Sequence, residues 1–169
     1  MTAVGQVKRA VAAAIKAAGC AAIESYSEEQ LKRYATAVAA IGTKETVIEE
    51  SGAAQYLGEK VDEATQETVS VYGRKMLLTL LIEVYAPRTL GAAGCEKAAE
   101  VVTQALMTAL PEGLKLGSLQ WGKTGWDKTT GMFRLDASAK YAAYFVAEAA
   151  EDETVFTDFI LKGTVKERE

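Results

Sequence analysis

Apolar side chains at Val4, Val7, Val11, Ile15 and Ala18 recur at steps of three and four residues, while Lys8, Arg9 and Lys16 fall mostly off that stripe. The spacing predicts an amphipathic helix over 3–18, and Gly19 follows as a stop. Ser27 with Gln30 three positions on makes a capping-box pattern for a short helical turn over 28–33. Residues 34–41 are small and apolar, which suits a strand and leaves helix as the alternative.

The pattern dissolves over 42–67. Seven acidic residues (Glu45, Glu49, Glu50, Glu59, Asp62, Glu63, Glu67) stand there against Lys44 and Lys60, a net charge of -5. Gly52, Gly58 and scattered threonines add turn character, although residues 46–49 could extend a strand. The segment reads as a long charged loop, and connections of that length are usually functional or mobile. The bland alternative is a solvated surface loop.

Strict alternation returns at 67–85. Met76, Leu78, Leu80, Ile82 and Val84 share one face of a long strand. Val69 and Val71 stand on the other parity, and a bulge at Gly73 would bring both sets together. Pro87 ends the element. A second helix follows the stretch from Gly91 to Gly94, with Ala98, Val102, Ala105, Leu106 and Ala109 as its buried stripe and Pro111 and Gly113 as its stop. The last third alternates again. Phe133, Leu135, Ala137, Ala139, Tyr141, Ala143, Phe145 and Ala147 line one face, with Arg134, Asp136, Ser138 and Lys140 opposite. Such regularity outweighs the helix propensity of alanine. Residues 151–153 read as a turn and 155–162 as a closing strand. The chain is therefore expected to be one α+β domain over 1–169, a mainly antiparallel sheet packed against two helices, with the acidic loop at 42–67.

Composition narrows the chemistry. With 19 Lys+Arg against 23 Asp+Glu the net charge is -4, the wrong sign for a general binder of nucleic acid or anionic membrane. No histidine is present, so a Ser-His-Asp triad, a histidine general base and a His-containing zinc site are all excluded from this chain alone. Carboxylate, lysine or cysteine chemistry is not. Cys20 and Cys95 lie 75 positions apart and form no CxxC motif, which fits buried free thiols in a reducing compartment. Lys8, Arg9 and Lys16 break any signal-peptide core. The apolar run 76–82, interrupted by Thr79, is too short to cross a bilayer. The expectation is a soluble protein made in a cytoplasm.

The sharpest motif is GSLQWGKT at 117–124, a literal match to the phosphate-loop pattern G-x-x-x-x-G-K-[ST]. A phosphate loop needs a helix that starts at the Lys-Thr, with its amides aimed at the phosphates. Here Gly125, Trp126 and Asp127 follow, then Thr129, Thr130 and Gly131, so no helix has room to begin. Leu119 and Trp121 look instead like alternate strand positions. No nucleotide or other cofactor is expected. Trp121, Trp126 and Phe133 read as a packed aromatic hairpin, with a protein-contact loop around Trp126 and Lys128 as the competing reading. The pairs Glu49–Glu50 and Asp62–Glu63 lack an apolar shell that would raise a carboxyl pKa, so solvated charge accounts for them. No catalytic or metal-ligating set emerges. The chain is expected to be a binding or assembly protein and not an enzyme.

The order of elements brings in a family. A helix opens, a strand leads into a charged loop, and a long strand ends in LLIEVYAP. A helix, a Trp-containing segment and a strand pair then close the chain. Over 4–162 this resembles the tail terminator proteins of long-tailed bacteriophages of the lambda type and their prophage relatives. The segments TGMFRLDASAKYAAYF and FTDFILKG are also similar to prophage tail-module proteins. The resemblance implies a hexameric ring at the head-proximal end of the tail tube, which stops tube polymerisation and joins tail to neck. Its implied partners are further copies of the chain, the tail tube and neck or head-completion proteins, and the sheath if the tail is contractile. It implies a place in the virion after assembly in the bacterial host cytoplasm, with no sequence-specific nucleic acid and no membrane. The longer acidic segment and the longer stretch before the final strands depart from the family, so no residue is carried over from it.

Two alternatives stay open: another neck, connector or baseplate component, and a small-molecule or nucleotide-binding α+β domain. The residues expected to make protein contacts come from charge and exposure. In the acidic segment they are Glu45, Glu49, Glu50, Tyr56, Leu57, Asp62 and Glu63, with Tyr56 and Leu57 as anchors and the carboxylates steering toward a basic partner. Trp126 and Lys128 join them from the aromatic hairpin.

Overall fold

The computed structural model describes residues 3–51 and 55–148. Two long strands carry the architecture. β4 (Thr68–Ala86) and β7 (Met132–Glu148) pair antiparallel without a break, from Val71 opposite Glu148 to Ala86 opposite Phe133. On one face of this ribbon large side chains of β4 stand opposite small ones of β7: Leu80 faces Ala139 and Ile82 faces Ala137. The alanines leave room for helices to approach closely.

Two helices fill that room. α1 (Ala3–Ala17) contributes Val7, Val11 and Ile15, and α3 (Gly91–Thr108) contributes Cys95, Ala98, Ala99, Val102 and Leu106 to one apolar core with Met76, Leu78, Leu80, Ile82 and Val84. α3 can start this close because Gly94 lacks a side chain. A Cβ there would sit 2.6 Å from Leu90 Cβ and 3.5 Å from Ala86 Cβ. Both cysteines are free and buried, and burial pushes the Cys95 thiol up to about 11.

Among the described residues the sheet has seven strands in the order β1-β2-β4-β7-β5, with β3 also on β4 and β6 also on β7. β1 (Ala21–Ile23) runs parallel to the start of β2 (Val38–Glu49), and the remaining pairings are antiparallel. β5 (Lys115–Trp121) forms the far edge, and β6 (Gly125–Asp127) pairs with the start of β7. The short α2 (Glu28–Leu31) is capped at Ser27, whose hydroxyl accepts from the Gln30 amide as the sequence pattern predicts. Its Leu31 covers the other face of the sheet at one end, with Ile23, Val38, Ala40, Tyr85 and Met132. The α+β class and the mainly antiparallel sheet expected from the sequence are therefore present.

Several details differ. The acidic segment is not a long loop: β2 runs on to Glu49, and residues Tyr56–Val61 form β3 against β4. The Ser51 hydroxyl donates to the Gly73 carbonyl and ties the end of β2 to β4. No bulge sits at Gly73, because the β4–β7 register passes through it unchanged. Val69 and Val71 simply occupy the face opposite the helices. The irregularities fall instead in β2 between Thr43 and Glu45, in β3 between Tyr56 and Gly58, and in β5 between Leu116 and Ser118. Ala109 is the exposed C-cap of α3 and not part of its buried stripe. The turn at 151–153 and the strand at 155–162 lie outside the described residues.

One core group is unsatisfied. The Tyr141 hydroxyl is buried and has no hydrogen-bond partner among the described residues, and burial raises its pKa. An orphaned buried hydroxyl costs on the order of 1 kcal/mol or more. Tyr141→Phe is therefore expected to unfold at the same or a higher temperature than the parent, by up to about 1 kcal/mol of added stability. A loss of similar size on thermal melting would show that the hydroxyl has a partner.

Candidate interaction surface

The acidic segment stands out from the folded body. From Thr43 to Glu50 every residue is exposed, on both faces of β2. Glu45, Val47 and Glu49 share the face of Thr79 and Leu77, and Thr46 and Ile48 share the helix side with Leu78 and Met76. Ile48 is 43% exposed although it lies opposite fully buried Met76. Among the described residues no strand lies along the outer edge of β2 beyond Ala40.

The other expected contact residues distribute unevenly. Tyr56 packs edge-on against Tyr72, its cross-strand neighbour, with ring centroids 5.7 Å apart. Leu57 next to it is half-buried. Asp62 holds the β3–β4 turn: its carboxylate accepts from the Ala64 amide at 2.8 Å, and its backbone pairs with Glu67 and Gln66. That carboxylate is a turn device first. Glu63 beside it is exposed. Trp126 and Lys128 lie elsewhere. β6 meets β4's neighbour at Phe133, opposite Ala86, whereas β3 meets β4 at Thr68–Tyr72. Along β4 those two contacts lie 14 to 18 residues apart, roughly 45–60 Å at the rise of a strand. The structure does not gather the nine residues into one surface.

The aromatic hairpin is partly as expected. Trp126 packs edge-on against Phe133 at 5.1 Å. Trp121 turns to the helix side, where its indole N–H donates to Thr103 Oγ1 at 2.9 Å. Beside it Ala99, Glu100, Thr103, Gln104, Met107 and Thr108 of α3 complete an open, apolar groove of about 350 Å³. Met107 stands on its rim, 73% exposed.

The phosphate-loop match has the wrong geometry. Gly117 lies within β5, and the Gly122 amide already donates to the Asp136 carbonyl at 2.7 Å. After Thr124 the chain enters β6 and then a tight turn. Asp127 accepts from the Thr129 and Thr130 amides and from the Thr130 hydroxyl, and Gly131 supplies a φ of 68° that favours glycine. Those bonds, the Thr130 hydroxyl first, hold the Asp127 carboxyl below its usual range. Among the described residues no cluster of three or more Asp, Glu or Cys side chains is placed to hold a metal ion, and no helix is long and apolar enough to cross a membrane.

A polar cluster that sequence reasoning missed lies on the α2 side of the sheet. Glu83 and Asp136 are direct cross-strand neighbours, a pairing of like charges that would be unfavourable alone. The Arg134 guanidinium resolves it: it reaches Glu83 at 2.7 Å and grips Asp136 through two bonds of 2.6 and 2.8 Å. The Tyr85 hydroxyl donates to Glu83 at 3.3 Å. Burial pushes the Glu83 carboxyl up, while Arg134 pulls it the other way. The one signal in the sequence was a charge inside LLTLLIEVYA; its partners depended on a register that spans half the chain.

Compared with known proteins, the chain matches no family model and no curated protein.

Two outcomes follow. Arg134→Met leaves Glu83, 8% exposed, beside a second carboxylate, and should cost roughly 2 kcal/mol at neutral pH, less than a fully buried pair because Arg134 is partly exposed. With its counterion gone the Glu83 pKa rises further in the folded state than in the unfolded chain. The folded variant then binds the extra proton, so its deficit should shrink as pH falls through that raised pKa. Melting curves of variant and parent at neutral and mildly acidic pH measure this, and a pH-independent difference would contradict it. Separately, Lys123→Ala should change stability by no more than about 0.5 kcal/mol, and ATP with Mg²⁺ should shift the melting of neither protein.

Proposed function

We propose that this chain is a structural subunit of a phage tail, a tail terminator that assembles as a ring on the head-proximal end of the tail tube. The ring stops tube growth and presents a surface to the neck. The observation that supports this is the β2 extension, exposed on both faces and rich in acid. A strand that buries neither face gains little from folding in an isolated chain, while fixing its backbone costs entropy. Burial against a neighbour would restore the balance. The resemblance in element order over 4–162 supplies the identity of that neighbour: other subunits, the tube and the neck proteins. The role is architectural, with no cofactor and no catalysis assigned to it.

A neck, connector or baseplate component would use the same kind of surface and differs only in where the ring sits. The nucleotide-binding reading has lost its support, because the residues of the matching motif lie in a strand and a strand-to-strand connection. The test is genetic. Removing this gene from the phage or prophage that carries it should yield tails of unregulated length that fail to join heads, and supplying the gene in trans should restore normal particles. Tails of normal length and capped normally in the deletion strain would overturn the proposal. Normal length with failed joining would move the chain to the neck.

A further inference from the structure

We infer that the subunits join head to tail by continuing the sheet, with the acidic edge of β2 from one copy laid along the β5 edge of the next. This rests on the ring reading above and names its seam. Both edges end the sheet among the described residues: β5 is the terminal strand on one side, and β2 beyond Ala40 is uncovered on the other. Such edges invite another strand. They are also matched in length, since β5 has seven residues and the uncovered part of β2, 41–49, has nine.

Charge decides which edge meets which. Residues 43–50 carry Lys44, Glu45, Glu49 and Glu50, a net -2, and residues 115–124 carry Lys115 and Lys123 with no acid, a net +2. Two β2 edges would set glutamates against glutamates, and two β5 edges lysines against lysines. Only the unlike pairing is favourable. An interface between two different patches is heterologous, and it propagates into a ring or a filament and not a closed dimer.

The faces agree as well. After its irregularity at Lys44, β2 sends Glu45 and Glu49 to the face away from α1 and α3, and Ile48 to the helix side. On β5, Lys115 lies on the first of these faces, with Lys140 one strand further in, while Leu119 and Trp121 lie on the helix side. A continued sheet therefore brings the glutamates to the lysines on one face. On the other it places Ile48 on the same side of the sheet as the apolar groove between Trp121 and Met107.

The experiment uses charge reversal in the full chain, with sedimentation and native mass spectrometry as readouts and a thermal melt to confirm folding. Glu45→Lys with Glu49→Lys makes both edges basic, and Lys115→Glu with Lys123→Glu makes both acidic. Each double variant should weaken self-association at least tenfold. Mixing the two should restore assemblies in which the variants alternate, and all four reversals in one chain should restore them alone. In assembled protein the amides of β5 should exchange with solvent at least tenfold more slowly than in the dissociated variants. Assemblies that survive either double reversal would overturn this seam and leave the ring reading standing. A wild-type chain that stays monomeric at every concentration would overturn both.

Discussion

The β4–β7 pairing is the constraint from which the other placements follow. Its register runs unbroken through the middle of the sheet, so the sides of every other strand are fixed by it. The match of bulky β4 residues to β7 alanines sets how near α1 and α3 can come, and that proximity closes the main core. The same register forces Glu83 against Asp136 on the reverse face. Arg134 is then required where it stands, within reach of both carboxylates. Apolar packing on one side and a compensated charge triad on the other are two results of one alignment.

The strands that the sequence made legible are those with unlike faces. β4 and β7 alternate because the helices cover one side and leave the other polar or partly open, so parity carries information. The β2 extension defeated that reading for the converse reason. Thr43 to Glu49 meet solvent on both sides, and a strand with two wet faces has no period to detect. Its acid content then resembles a loop. Val69 and Val71 misled in another way: taking every apolar residue as core-facing required a bulge at Gly73, when the opposite face is itself half-buried there.

The candidate surface was legible in part. Exposure of Glu45, Glu49 and Glu50 followed from composition, but the open edge of β5 did not, because β5 reads only as a short strand and its edge position depends on the sheet order. Trp126 and Lys128 were linked to the acidic segment by exposure alone, and most of the length of β4 separates them from Tyr56 and Asp62. Local chemistry travelled well from sequence to structure, as the Ser27 cap shows. Cross-strand partners did not, since the offset between β4 and β7 is set by packing over the whole ladder.

That ladder also bears on how the chain folds. Its closest partners, Ala86 and Phe133, are 47 residues apart in sequence, and its most distant, Val71 and Glu148, are 77 apart. β5 and β6 are near β7 in the chain and can both pair with it early, whereas β4 must wait for that unit to dock. On a ribosome the wait is longer still, because β7 is made after everything it pairs with. Until then one edge of β4 and its row of leucines stand open. The nascent protein is most exposed to wrong strand partners in that interval, when α1, made before β4, and α3, made between the two strands, are the elements able to shield the row.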